Sequence, residues 1–249
     1  MADGRRWFVD FSMVSVAACL WFIPPTSMAG ADEKVRQTAT LALSAKATSL
    51  QGTYESVPLN SRVAGEAESA LATLNSLPLT SSAKAAQINR KPGPDPKDAC
   101  QVLGPFRLMA RPDIRFEILP DAPDKLVMLF ENEAWGHVRT IGMDAEHPKD
   151  FTKIRPMWNG DSISRWEGDV LVIDTVHFTN KTWLNERGVF NSKQLHLTER
   201  LRMVSGGKYL EYESTADDPD VLAHSVRYTR YFKRIPDEIV EYSCFAHKA

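Results

Sequence analysis

Trp166-Glu-Gly-Asp-Val-Leu-Val-Ile-Asp-Thr175 reads as a β-strand entered through a tight turn, with Glu167-Gly168 as the turn and an aliphatic run behind it. Alternation puts Asp174 in line with Val170, Val172 and Val176. A carboxylate on an apolar face must be paired, protonated or used in chemistry. Similar short runs surround this one: Phe116 to Leu119, Leu126 to Glu131, His137 to Met143, Ser162 to Trp166, Leu195 to Val204, Tyr209 to Thr215, Val221 to Ile235 and Glu238 to Phe245. No long helical period separates them, so the pattern predicts a mainly β domain, an antiparallel meander forming a lipocalin-like barrel with an internal pocket. A β-sandwich fits the same runs.

The hairpin after Leu195 can be registered from its charges. A turn at Ser205-Gly206-Gly207-Lys208 sets Arg202 opposite Glu211 and Arg200 opposite Glu213 on a solvated face. The other face then pairs Leu201 with Tyr212, Met203 with Leu210 and Leu197 with Ala216. Glu199 falls on that apolar side, opposite Ser214, and His196 falls outside, opposite Asp217. Asp174 and Glu199 are thus the two acids out of place on apolar faces. Burial raises a carboxyl pKa, which suits a general acid or base. A buried arginine such as Arg139 or Arg230 would instead make either acid a structural element. The Glu167-Gly168 turn also places Asp161 directly across from Asp174 as a possible dyad, and a longer loop dissolves it.

Toward the N-terminus the chain changes character. Residues 1–31 resemble an export signal: Arg5 and Arg6, an apolar run from Phe11 to Ile23, and a small-residue cleavage site at Ala29-Gly30-Ala31. Arg5-Arg6-Trp7-Phe8-Val9 also fits a twin-arginine route, and Val16-Ala17-Ala18-Cys19 a lipid-anchoring box. A periplasmic or secreted protein is expected, with lipid anchoring at Cys19 as the alternative, and no membrane span in the mature chain. Residues 32–96 form a helical segment, with Val63, Ala67, Leu71 and Leu74 on one face and a second helix starting near Thr80 to Ser82. The segment ends in a proline-rich linker, Lys91-Pro-Gly-Pro-Asp-Pro96, and the β domain occupies 97–249.

Composition narrows the function classes. With 43% hydrophobic and 25% charged residues, a net charge of -2 and a pI near 6.3, the chain is globular and has no basic stripe to hold nucleic acid. Its partner is expected to be a small molecule. Once the signal is removed, Cys100 and Cys244 remain, an even pair that suggests a disulfide in an oxidising compartment; two buried thiols are the alternative. Closing so long a loop stabilises by about 4–5 kcal/mol on the chain-entropy view.

The histidines at 137, 147, 177, 196, 224 and 247 lack ligand spacing, so neither a metal nor a cofactor is expected. Trp135, Trp158, Trp166 and Trp183 cluster between Glu133 and Asn185, either at a pocket mouth or as a core plug. There is no phosphate loop, nucleophile elbow or HExxH helix. In a catalytic site Asp174 and Glu199 would move protons and Arg139 would stabilise negative charge, with Trp158, Trp183, His177 and Asp161 as substrate contacts.

Pro156-Met-Trp158, Arg165 to Asp174, Lys181-Thr-Trp-Leu184, Leu195-His-Leu-Thr-Glu-Arg200 and Glu241-Tyr-Ser-Cys244 resemble a family of uncharacterised exported bacterial proteins. The resemblance implies the same β-rich exported domain and carries no mechanism. In that family the positions of Asp161 and Asn191 are commonly histidine, and those of Asn180 and Asn185 commonly aspartate. The resemblance therefore implies that a His/Asp site there would be altered in this chain.

Three function classes follow: a cofactor-independent lyase, isomerase or hydrolase acting on a small apolar or aromatic molecule, a non-catalytic binding protein, and an envelope interaction module using the helical segment.

Overall fold

The computed structural model describes residues 45–57, 70–89, 95–131 and 138–240, all within the unit Thr40–Ala249. The export signal, Cys19, Val63, Ala67, the start of the proline-rich linker, Trp135, His137, Cys244 and His247 lie outside the described residues. Nine strands close one lipocalin-like barrel in chain order. They are β1 (Gly52–Ser56), β2 (Arg115–Ala122), β3 (Lys125–Glu131), β4 (Val138–Met143), β5 (Asp161–Glu167), β6 (Val170–Val176), β7 (His196–Val204), β8 (Tyr209–Asp217) and β9 (Val226–Ile235). β1 pairs with β9 from Thr53↔Ile235 to Ser56↔Phe232 and closes the ring.

Alternation explains the wall. Inward positions carry Tyr54, Phe116, Ile118, Met128, Leu171, Ile173, Leu201, Tyr212 and Phe232, all essentially inaccessible, and each such side chain contributes about 1.5–3 kcal/mol by burial. Their rings interlock: Tyr54 stacks on Phe116 at 5.4 Å, and Phe116 meets Phe232 edge-on at 4.9 Å. The centre expected to hold a ligand is therefore taken up by side chains.

The β7–β8 hairpin has the register its charges predict, with Arg202↔Glu211, Leu201↔Tyr212 and Glu199↔Ser214. Ser205, Gly206 and Gly207 all turn with positive φ, which two glycines accommodate without a Cβ.

Three features differ from expectation. First, β1 comes from the segment read as helical, because five residues whose two buried side chains, Thr53 and Tyr54, are adjacent show no strand period. Among the described residues the helices there are short: residues 45–50 are helical, and α1 (Ala70–Asn75) and α2 (Ser81–Asn89) follow, the last capped where expected by Thr80 Oγ1 accepting from Ala83 N at 3.1 Å.

Second, β4 and β5 run parallel, so the meander is interrupted. Parallel neighbours need a long crossover, here residues 144–160. Third, the C-terminal run from Glu238 has no strand in its described part, 238–240.

A five-residue helix, α3 (Pro105–Met109), is wholly buried: Tyr228 OH donates to Phe106 O at 2.6 Å and Arg230 Nη1 to Ala110 O at 3.3 Å. Among the described residues no helix is long and apolar enough to cross a membrane.

Candidate functional site

Asp174 and Glu199 lie on opposite faces of the barrel wall. Glu199 points inward and is inaccessible. Arg139 on β4 reaches it with a two-pronged grip: Nη1 donates to Oε1 at 2.8 Å and Nη2 to Oε2. Arg139 Nη2 also donates to Thr175 Oγ1 at 2.9 Å, its Nε to Ser162 Oγ at 3.3 Å, and Tyr212 OH donates to Glu199 Oε1 at 2.7 Å. Burial works against the Arg139 charge, but the Glu199 carboxylate outweighs it, and the guanidinium pKa ends above its ordinary value. Burial, with the Glu199 charge behind it, pushes the Tyr212 hydroxyl well up. Glu199 is therefore a paired acid, held by the arginine that was one of its two possible fates. Arg230, the other candidate partner, instead donates to Ala110 O and lies over Phe232 at 5.8 Å.

Asp174 points outward with its side chain 26% exposed, because the inward positions of β6 belong to Leu171, Ile173 and Thr175. The apolar line it was read in is the outer wall. Its partners are two histidines: His196 Nε2 lies 2.5 Å from Oδ1, and His147 Nε2 lies 2.9 Å from Oδ2. The His196 contact, then that of His147, holds the Asp174 carboxyl below the usual range despite partial burial. Asp174 in turn raises the His196 imidazole above its ordinary value.

Of the two registers open to Asp161, the one that would pair it with Asp174 does not form. Gly168 takes φ 66 and Glu167 pairs with Val170, so the register shifts and Asp161 stands opposite Val176. The two acids still share a face, and His147 fills the space between them, its Nδ1 lying 2.6 Å from Asp161 Oδ2. Asp161, His147, Asp174 and His196 form a continuous hydrogen-bonded chain on the outer wall. His147 thus bridges the two carboxylates, Nδ1 to Asp161 and Nε2 to Asp174.

His147 belongs to the 144–160 crossover, and the sequence held no sign of its role beyond a histidine beside Pro148. The crossover is tied down elsewhere. Phe151 stacks on His177 at 4.3 Å, His177 Nε2 lies 2.9 Å from Ile154 O, and Thr179 N donates to Met157 O at 2.8 Å. His177 thus anchors the crossover.

Beside the crossover the barrel seam opens. β4 and β5 pair only at Gly142↔Ile163 and Met143↔Ser164. The remainder of β4 borders a cleft of about 590 Å³, whose lining includes Val138, Arg139, Trp158, Asp161 and Ser162. Val138 is 62% and Met157 42% exposed at its rim. Of the predicted residues, Arg139, Trp158 and Asp161 meet here, whereas Asp174, Glu199, His177 and Trp183 do not line the cleft.

Trp183 is buried in a separate cluster, 5.7 Å from the Arg107 guanidinium and edge-on to Phe190 at 5.7 Å, which is the core-plug alternative. A groove of about 310 Å³ near α2, lined by Leu79, Ala83 and Phe190, touches none of the predicted catalytic or substrate-contact residues, but Asn180 and Asn191 line it. Asn185 and Asn191 brace the loop before β7: Asn185 Oδ1 accepts from Val189 N at 3.2 Å, and Asn191 Nδ2 donates to Thr179 O at 2.8 Å. Cys100 is half-buried against the core, and its expected partner Cys244 lies outside the described residues. No group of three or more metal-ligating side chains converges among the described residues. Comparison with known proteins finds no matching family model and no matching curated protein.

Proposed function

We propose that the protein binds a small, largely apolar or aromatic molecule in the cleft between β4 and β5. The observation that carries this reading is the cleft itself, about 590 Å³ with Trp158, Val102, Val138, Met157 and Ile163 around a few polar groups, the size and lining of a small-ligand site. The export signal and the Cys100–Cys244 pair are consistent with a periplasmic or secreted binding protein. Its kinship would lie with the exported bacterial family whose motifs the chain resembles.

Native mass spectrometry followed by extraction of any retained molecule tests this reading. Ala145→Trp fills the cleft from an exposed lining position. Loss of the retained molecule in that variant supports the cleft, and equal retention places the ligand elsewhere.

A catalytic second reading is favoured by one observation: Asp161 both lines the cleft and leads through His147 and Asp174 to the exposed His196. In that reading Asp161 exchanges a proton with the bound molecule in a cofactor-independent lyase, isomerase or hydrolase reaction. Asp161→Asn would then keep binding and lose conversion of the extracted molecule.

A further inference from the structure

We propose that the cleft selects small organic cations, an ammonium group on an apolar or aromatic body, with Asp161 and Glu146 receiving the charge and Trp158 packing the body. The inference rests on the cleft being a ligand site and adds the chemical class of its ligand. Among the described residues, the charged ones lining the cleft are Arg139, Glu146 and Asp161. The charge of Arg139 is already matched from inside the barrel by Glu199, held by Nη1 at 2.8 Å and by Nη2, and Glu199 does not line the cleft.

Two carboxylates remain. Asp161 has Oδ2 on His147 at 2.6 Å, and Glu146 is exposed. Both protonation states of His147 lead to the same sign. As an imidazolium it balances Asp161, and the excess negative charge is that of Glu146. As a neutral ring it leaves both carboxylates uncompensated. A concave site of one sign concentrates the opposite charge, and a tryptophan face adds cation–π attraction for an ammonium. An anionic ligand would meet these carboxylates with no free cation among the described residues of the lining to receive it.

Benzylamine, benzyl alcohol and benzoate share one body and differ in charge at neutral pH, so titrating each into the isotopically labelled protein and following amide shifts of cleft residues tests the inference. Benzylammonium should bind at least about tenfold tighter than the alcohol, with benzoate weakest. Added salt should weaken the amine alone. Glu146→Gln, an exposed change, should reduce the amine's affinity several-fold more than the alcohol's. Equal binding of all three, or tightest binding by benzoate, overturns the charge selection while leaving the cleft as a ligand site. An absence of cleft shifts with every probe overturns the cleft reading and this inference with it.

Discussion

Arg139 on β4 and Glu199 on β7 join across the barrel interior, guanidinium to carboxylate, with side chains 1% and 0% exposed. The pair links two strands that are not neighbours in the sheet. Its attraction must offset the removal of two ions from water, and the added bonds to Ser162, Thr175 and Tyr212 provide the rest.

Breaking the pair from one side should be worse than removing it. Arg139→Met or Glu199→Leu leaves one buried charge alone and should cost about 3–5 kcal/mol each in urea unfolding. The double variant should recover much of that loss, so the two costs should not add. Additive losses would mean that each residue acts through packing and not through the pair.

The His196–Asp174 contact gives a defined pH dependence. The pKa of His196 is raised in the folded state, so its contribution is fully present below its unfolded-state pKa and is lost as pH rises through the folded one. The pKa of Asp174 is depressed, so its contribution is present above its unfolded-state pKa and is lost as pH falls through the folded one. The pair therefore stabilises between those two limits. Because His196 is 46% exposed, solvent screening holds the effect of His196→Gln to under about 1 kcal/mol. Unfolding of both proteins across pH should show a gap in mildly acidic to neutral solution that closes at alkaline pH.

Gly160 and Gly168 both have positive φ but different surroundings. A Cβ on Gly160 would lie 2.6 Å from Thr175 Cγ2 and 2.7 Å from Val176 O, whereas one on Gly168 meets nothing within 4 Å. Gly168→Ala should therefore cost only backbone strain, about 1–2 kcal/mol. Gly160→Ala adds overpacking for a total of about 2–5 kcal/mol, and should disturb the cleft that Gly160 lines. Chemical denaturation of the two variants side by side tests the difference.

His147 fastens the 144–160 crossover to β5 and β6, so His147→Ala should loosen it locally. Native-state proteolysis should cut within 144–160 several-fold faster, while the urea midpoint falls by less than the loss from Glu199→Leu. Unchanged cleavage would show that the Phe151–His177 stack holds the crossover without His147.

The β7–β8 hairpin shows what local pattern can determine. Alternation and facing charges were enough to place Glu199 inward opposite Ser214, since pairing is antiparallel with a short turn and a slip would invert every side chain. Local pattern leaves the register of Asp161 open between two turns, and a third decides it: Gly168-Asp169, neither Glu167-Gly168 nor a longer loop, joins the paired Glu167 and Val170. Asp174 was misassigned for a related reason. Val170, Val172 and Val176 mark a β-strand, but an aliphatic outer face and an aliphatic inner face look alike in sequence.

By itself, then, the sequence determined the β class, the barrel's hairpins and the presence of acids needing partners, because all of these follow from local alternation and turn chemistry. Only the tertiary structure decided which partners they found. Arg139 meets Glu199 because barrel closure brings β4 and β7 around a common interior, and His147 meets Asp161 and Asp174 because a parallel step sends the crossover over the outer wall. Both contacts join residues remote in the chain, so neither leaves a periodic trace in the sequence.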